Sequence, residues 1–240
     1  MCNLIIDEGN TRCKAYVFDN EDIIAHESAS LLSDSLLVGL AKQHNISKII
    51  SSSTRRETFV VPQELQHIAH TRLDSHTPLP IAIDYKTPET LGHDRIAAAV
   101  GANRLFPKTN VLIIDIGTAI TFDFVDSSAT FHGGTISPGA AMRAQALNHF
   151  TGRLPLVSVP HQSNLQGKST DEALQYGIAN GVRFEIDAYI NKYKCLYSNL
   201  QVVVTGGGTE FFDYLYAQTY FEPNLVAIGL NTILEHATAS

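Results

Sequence analysis

Two short segments carry the same arrangement of residues able to hold a phosphate: Asp7-Glu8-Gly9-Asn10-Thr11 and Asp115-Ile116-Gly117-Thr118-Ala119. In each, an Asp closes an apolar run, Gly follows two positions later, and Thr stands just beyond. Glycine lets the backbone approach an anion, while successive N–H groups and the Thr hydroxyl form a concave set of donors. The Asp cannot face a bare phosphate favourably. It makes sense only with a cation between them, typically Mg²⁺ with its retained waters. One such turn alone is an ordinary hairpin; two of them, each closing an apolar strand, point to phosphate chemistry. A third segment, Thr205-Gly206-Gly207-Gly208, leaves the apolar run Val202–Val204 and enters a helical pattern, where glycines admit a flat ligand or phosphate. A fourth, Gly92-His93-Asp94-Arg95, lies just beyond Tyr85-Lys86-Thr87-Pro88. Asp beside Arg at a helix start is ordinarily a cap or a surface ion pair. In a site, the Asp can accept a hydroxyl proton and the Arg can clamp a carboxylate through two hydrogen bonds. A substrate bearing both an alcohol and a carboxylate would use both.

The elements that must position these residues read as follows. Leu4–Ile6 forms a buried strand, Arg12–Phe18 a returning strand, and Ile23–Ser28 a third. A helix is expected over Ser35–Gln43, a strand over Ser47–Ser51 and a helix near Glu64–His70. Pro78, Pro80 and Pro88 make the next stretch irregular. The Ala-rich segment His93–Leu105 reads as a helix stopped by Pro107. The second half restarts the pattern, with strands over Val111–Ile114, Ile120–Val125 and Thr130–Ile136. Helices are expected over Pro138–Asn148 and Thr170–Lys194, then a strand over Val202–Val204, a helix after Gly208, and a last helix from Leu225 towards Ala237. No low-complexity linker separates the halves, and the boundary is expected between Pro107 and Asn110.

Composition excludes several classes. The 240 residues are 44% hydrophobic, enough for a real core, and hold no apolar stretch of membrane-spanning length. The first residues read straight into a strand, so no secretory leader is expected. The three cysteines, Cys2, Cys13 and Cys195, have neither metal-ligand nor disulfide spacing and suit a reducing compartment. A net charge of −7 without clustered Lys and Arg argues against nucleic acid as a partner. The ten histidines show no metal-like pair on one helical face and read as solvated or structural. Arg55-Arg56 reads as a surface charge pair, and Tyr214, Tyr216 and Tyr220 as packing residues.

Two Asp-Gly-Thr turns followed in order by a glycine run resemble the nucleotide signature of the actin-like, hexokinase-like and Hsp70-like ATPase superfold. The resemblance implies an α/β protein of two related actin-like (ribonuclease H-like) ATPase domains, residues 1–108 and 109–240, with an active cleft between them. The motifs resemble type III pantothenate kinases in particular. That family carries Asp-x-Gly-Asn-Thr, a Tyr and Thr-Pro stretch before Gly-x-Asp-Arg, Asp-x-Gly-Thr-Ala, and Gly-Gly-x-Ile-x-Pro-Gly, here Gly133–Gly139. The resemblance implies transfer of the ATP γ-phosphoryl group to the hydroxyl of pantothenate, giving 4′-phosphopantothenate, the first step of coenzyme A biosynthesis. It implies that Asp7, Glu8, Gly9, Asn10, Thr11, Arg12, Cys13 and Lys14 form the first phosphate loop. Thr118, Gly206 and Gly207 would contact ATP. Tyr85, Gly92, His93, Asp94, Arg95 and Thr170 would line the pantothenate pocket, with Asp94 accepting the alcohol proton. Asp115 would hold a monovalent cation, K⁺ or NH₄⁺, beside Mg²⁺-ATP. A cytoplasmic homodimer, with no membrane partner, completes the implication. The alternatives are a kinase of the same superfold with another acceptor, or a non-catalytic accessory relative.

The sequence departs from the family pattern in three places. Glu8 stands where an apolar residue is usual, and strand alternation should turn it away from Asp7. Ile120 replaces a Thr, removing a hydroxyl from the phosphate side. Gly208 stands where Asn or Asp is more common.

Overall fold

The computed structural model describes residues 2–55, 59–208 and 219–239. The chain divides into two compact units: residues 1–108, 125–132 and 224–240 make the first, and residues 109–124 and 133–223 the second.

In the first unit, strands β1 (Cys2–Glu8), β2 (Cys13–Asp19) and β3 (Asp22–Ala29) form an antiparallel meander. Helix α1 (Asp34–His44) then returns the chain so that β4 (Ile46–Ser53) lies parallel to β1, and β5 (Ala69–Arg72) adds parallel to β4. The sheet order is β3-β2-β1-β4-β5. Ser33 starts α1 by accepting from the Leu36 N–H, and Asn45 ends it in the left-handed region, which Asn tolerates well. Strand alternation sorts β1. Leu4 and Ile6 pack with Cys13, Ala15, Val17, Leu37 and Ile49 in one apolar core. Asn3, Ile5 and Asp7 take the other face. There Asn3 donates to Asn231 at 2.8 Å and to Glu235 at 2.7 Å, both on α5 (Leu225–Ala239).

Helix α2 (His93–Leu105) packs on α5. The two meet almost backbone to backbone: a Cβ at Gly101 would lie 2.3 Å from the Leu225 carbonyl oxygen, and one at Gly229 only 1.8 Å from that of Ala97. Only glycine permits this approach. From Arg95 to Ala102 every residue of α2 is buried, so this stretch of the helix is covered on all faces rather than half-exposed. The two-residue strand β6 (Ala82–Ile83) runs parallel to the opening residues of β9 (Thr130–Pro138), pairing with Thr130 and Phe131.

The second unit repeats the opening theme with β7 (Val111–Ile116), β8 (Ala119–Val125) and the rest of β9. Helices α3 (Ala140–Phe150) and α4 (Thr170–Leu196) follow, then β10 (Gln201–Thr205), parallel to β7, and the short β11 (Tyr220–Phe221). The strand order there is β11-β10-β7-β8-β9. Leu112, Ile114, Ile120, Phe122, Val182, Ile186, Val202 and Val204 form its core. Phe122 stacks on Tyr189 with ring centres 4.0 Å apart. Arg143 joins α3 to α4 through an ion pair with Glu185.

One expected helix is absent. Residues near Glu64–His70 instead form a single 3₁₀ turn, Gln63–Leu65, followed by β5. The helix expected after Gly208, and Arg56, Tyr214 and Tyr216, lie outside the described residues. Among the described residues no helix is long and apolar enough to cross a membrane.

Candidate functional site

In the first unit, Asp7 closes β1 directly opposite Lys14 of β2 and beside Ser52 of β4. Burial raises the Asp7 carboxyl to about 6 from the usual 3.8; the Lys14 charge lowers it, while Asp94 and Glu8 push it further up. Asp7 and Asp94 therefore feel each other's charge although they are far apart in sequence. Glu8 and Cys13 pair across the strands on the opposite face, both buried, with Cys13 inside the apolar core. The expected turning of Glu8 away from Asp7 is what the pleat delivers. It leaves Asp7, the exposed Asn10, Thr11 and Arg12, and Lys14 as the residues of this loop that face solvent or Asp7.

The loop is held from behind. Thr54 donates to the Glu8 carbonyl through its N–H, at 3.0 Å, and its hydroxyl, at 3.2 Å. Arg55 donates through Nε to the Gly9 carbonyl at 3.0 Å and through its terminal amine to that of Ser30 at 2.9 Å. The sequence reading of Arg55 as a surface charge is corrected here: its guanidinium fastens the loop. A lone Arg after a strand carries no signal of that role.

Asp94 sits in the first turn of α2, where its Oδ1 accepts the Arg95 N–H at 2.9 Å. Gly92 makes room for it, since a Cβ there would lie 2.6 Å from that oxygen. Arg95 is buried, with its guanidinium carbon 5.9 Å from the Tyr85 ring centre and 5.8 Å from that of Phe131. A weakly hydrated, delocalised cation suits such a place against two aromatic rings. Phe131 has no motif around it; its role comes only from the pairing of β6 with β9. Burial lowers the His93 pKa, opposed by the charges of Asp94 and Asp74, so its imidazole is neutral at pH 7.

In the second unit, Asp115 lies beside Thr205 in the β7–β10 register. Gly206 takes φ +101°, and a Cβ on it would meet the Ile116 carbonyl oxygen at 2.4 Å and Asp115 Oδ1 at 2.5 Å. Gly139 presses on the same turn, where a Cβ would lie 2.4 Å from the Gly117 and 2.5 Å from the Thr118 carbonyl oxygen. Gly208 donates to the Ile116 carbonyl at 2.9 Å, whereas Gly207 borders open space. Asp115, Thr118, Gly206 and Gly207 thus gather around one tightly packed turn. Ile120 points into the apolar core with no exposed surface, so that position faces away from any ligand, and the expected loss of a phosphate-side hydroxyl does not arise. Thr170 is the exposed first residue of α4, behind a cap in which Ser169 accepts from the Glu172 N–H and Glu172 accepts from the Lys168 N–H.

Among the described residues no group of three or more His, Cys, Asp or Glu is arranged to hold a metal alone. A cation here would rely on one or two carboxylates plus phosphate oxygens, the usual arrangement for Mg²⁺ with a nucleotide.

Comparison with known proteins places this geometry. A solved Baf family protein from Campylobacter jejuni superposes with a TM-score of 0.63 at 20% identity, covering 99% of this chain and all of that one. The activator of 2-hydroxyisocaproyl-CoA dehydratase from Clostridium difficile, solved with bound ADPNP, gives 0.60 at 14% identity, covering 100% of this chain and 96% of that one. Such identities speak for the fold alone, which is the two-domain actin-like ATPase fold. The type III pantothenate kinase of Cytophaga hutchinsonii is 42% identical over 98% of this chain and 99% of its own. The family model for type III pantothenate kinase matches residues 3–192, most of the chain and all but the last glycine segment of the candidate site. The chain belongs to the type III pantothenate kinase family.

Proposed function

We propose that the protein transfers the γ-phosphoryl group of ATP to the alcohol of pantothenate, yielding 4′-phosphopantothenate for coenzyme A biosynthesis. The observation that carries this reading is the start of α2. There a carboxylate that can receive an alcohol proton stands next to an arginine packed against two aromatic rings, a pairing suited to a substrate with a hydroxyl at one end and a carboxylate at the other.

The residues fit the groups the reaction needs. Asp7 is a half-buried carboxylate whose pKa is raised, with two further acids acting on it; such a site is short of positive charge and suits Mg²⁺. The turn around Asp115 is packed too tightly for a side chain at Gly206 or Gly139, while Gly207 beside it borders open space, which leaves room for a nucleotide's phosphates. Asp115 is the residue we assign to a K⁺ or NH₄⁺ ion. Bound cations supply neutralisation of the phosphate charge. Phosphoryl transfer asks the protein mainly for positioning, with little covalent work. Arg95 holds the carboxylate of pantothenate, Tyr85 lies along its chain, and Asp94 orients the alcohol and takes its proton. Thr118 and the exposed donors of residues 10–12 orient the phosphates.

We further propose a cytoplasmic homodimer. An apolar groove of about 630 Å³ between α3 and α4, lined by Met142, Leu147, Phe150, Leu174 and Ile178, supports an interface with a second copy. Phe150 is 82% exposed there, a large ring that burial would favour.

A coupled kinase assay with Mg-ATP and pantothenate, run with and without potassium, tests the reading. Phosphopantothenate should form, hexoses and acetate should stay unmodified, and activity should fall sharply in sodium or Tris-only buffer. Equal turnover of a hexose would overturn the acceptor assignment, and indifference to potassium the role of Asp115.

A further inference from the structure

The acceptor pocket owes part of its shape to β6, a strand of only two residues. Beyond its pairing with β9, the Asp84 N–H donates to the Phe131 carbonyl at 2.9 Å, and Tyr85 follows at once. Because neighbouring residues of a strand face opposite sides, Phe131 and Tyr85 meet on one face, their ring centres 6.3 Å apart, and His132 and Asp84 meet on the back. The His132 ring lies between two carboxylates: Nδ1 is 3.2 Å from Asp84 Oδ2, and Nε2 is 2.8 Å from Asp126 Oδ2. Asp126 is a firm anchor. Its other oxygen accepts from the Ser128 N–H and hydroxyl and from the Thr130 N–H, all within the β8–β9 turn.

We propose that His132 is a positioning residue for the phosphorylation of pantothenate: bridging Asp126 to Asp84, it fastens β6 to β9 from behind and so fixes Tyr85 beside Phe131, with Arg95 against both rings. This rests on the assignment of Tyr85 and Arg95 to the acceptor pocket. Both contacts need the ring to donate from both nitrogens, and only the imidazolium does so. The charged groups facing the ring are Asp84 at the end of β6 and Asp126 in the β8–β9 turn, and their hydrogen bonds, that of Asp126 foremost, raise its pKa. Burial alone would raise Asp126, yet the bonds from His132, Ser128 and Thr130 outweigh it and bring that carboxyl down to about 2. When His132 loses its proton, the remaining N–H stays with the closer Asp126 and a lone pair faces Asp84. The contact that is lost is the one holding β6. The bridge is present below the ordinary histidine range and disappears as the pH climbs through the raised pKa.

The test compares the wild type with H132Q, D84N and R95K, measuring kcat and both KM values from pH 6 to 9, with thermal melts alongside. H132Q and D84N should each raise KM for pantothenate roughly fivefold at pH 6.5, the effect of an exposed ion pair. KM for ATP and kcat should stay within about twofold. Wild-type KM for pantothenate should climb above neutral pH, and the H132Q profile should be flat. The double variant should be no worse than either single one. An R95K defect in pantothenate binding alongside wild-type KM profiles for H132Q and D84N would overturn the inference alone, even with lowered melting temperatures, since that is what a purely structural bridge gives. Unchanged pantothenate KM in R95K would overturn the acceptor reading and the inference with it.

Discussion

The two Asp-Gly-Thr turns are built on one backbone plan and finished in opposite ways. In both units the Asp ends a strand whose parallel neighbour runs alongside it, Ser52 beside Asp7 and Thr205 beside Asp115. In both, the continuation of that neighbour donates an N–H to the carbonyl one residue past the Asp, from Thr54 to Glu8 and from Gly208 to Ile116. The continuations then differ. Beside Asp115 it is a glycine run that gives up all side-chain volume. Beside Asp7 it is Ser53-Thr54-Arg55, which adds polar side chains that hold the loop. On the proposed reading the difference separates two tasks of a kinase: shaping a tight turn beside the phosphates, and collecting charge where the alcohol and its proton are handled.

The comparison breaks most visibly at Asp94. D94N keeps size and can still accept the Arg95 N–H, so a role in capping α2 would leave activity near normal. As proton acceptor, its loss should lower kcat by about 10²–10⁴, with folding and ATP binding intact. Steady-state kinetics with a melting curve decide it.

The glycine copy is tested next. G206A puts a side chain into a left-handed backbone and against the Ile116 and Asp115 atoms named above. It should cost about 3–4 kcal/mol of stability or a comparable loss of ATP affinity. G207A, bordered by open space, should be close to wild type in both. Equal effects at the two positions would mean that the close approach is not what matters.

D7N sharpens the charged copy. The folded pKa of Asp7 is about 6, above its unfolded value of 3.8, so its contribution to stability is complete below about pH 3.8 and is lost as the pH rises through 6. At pH 8 without Mg²⁺ the amide should therefore stabilise the protein, by up to about 3 kcal/mol, and the gap should close towards pH 4. Denaturant titrations across that range measure it, and a D7N protein less stable than wild type at pH 8 would contradict it. The smallest effect is expected at Arg55. R55A removes the hydrogen bonds to the carbonyls of Gly9, in the first loop, and of Ser30, just past β3, which should cost about 1–2 kcal/mol. KM for ATP should rise by about fivefold with kcat little changed.

Much of this was legible in the chain because it is local. Apolar runs ending in Asp-x-Gly, and the Ala-rich run from His93, set β1, β7 and α2 almost to their observed bounds. The strands that escaped reading are those made by partners rather than by pattern. β5 is a mostly exposed edge with no alternation, and β6 and β11 have two residues each. Their existence depends on β4, β9 and β10. The proposed site divides in the same way. Asp94 and Arg95 stand in one tetrapeptide, whereas Phe131, Arg55 and His132 reach their contacts only when distant segments meet. Ile120 shows the reverse error: a family comparison suggested a missing hydroxyl at a place where the fold needs hydrocarbon.

The backbone contact of α2 with α5 has a consequence for synthesis. Residues 224–240 belong to the first unit, although residues 133–223 of the second unit separate them from the rest of it. On the ribosome, the first sheet and α2 emerge well before the helix that covers them, leaving the groove at Gly101 and the face of β1 around Asn3 without cover. The second unit can fold while the first is still waiting. Maturation of the enzyme thus ends at its beginning, with α5 docking last, and a nascent chain stalled before residue 224 would be a natural substrate for a chaperone.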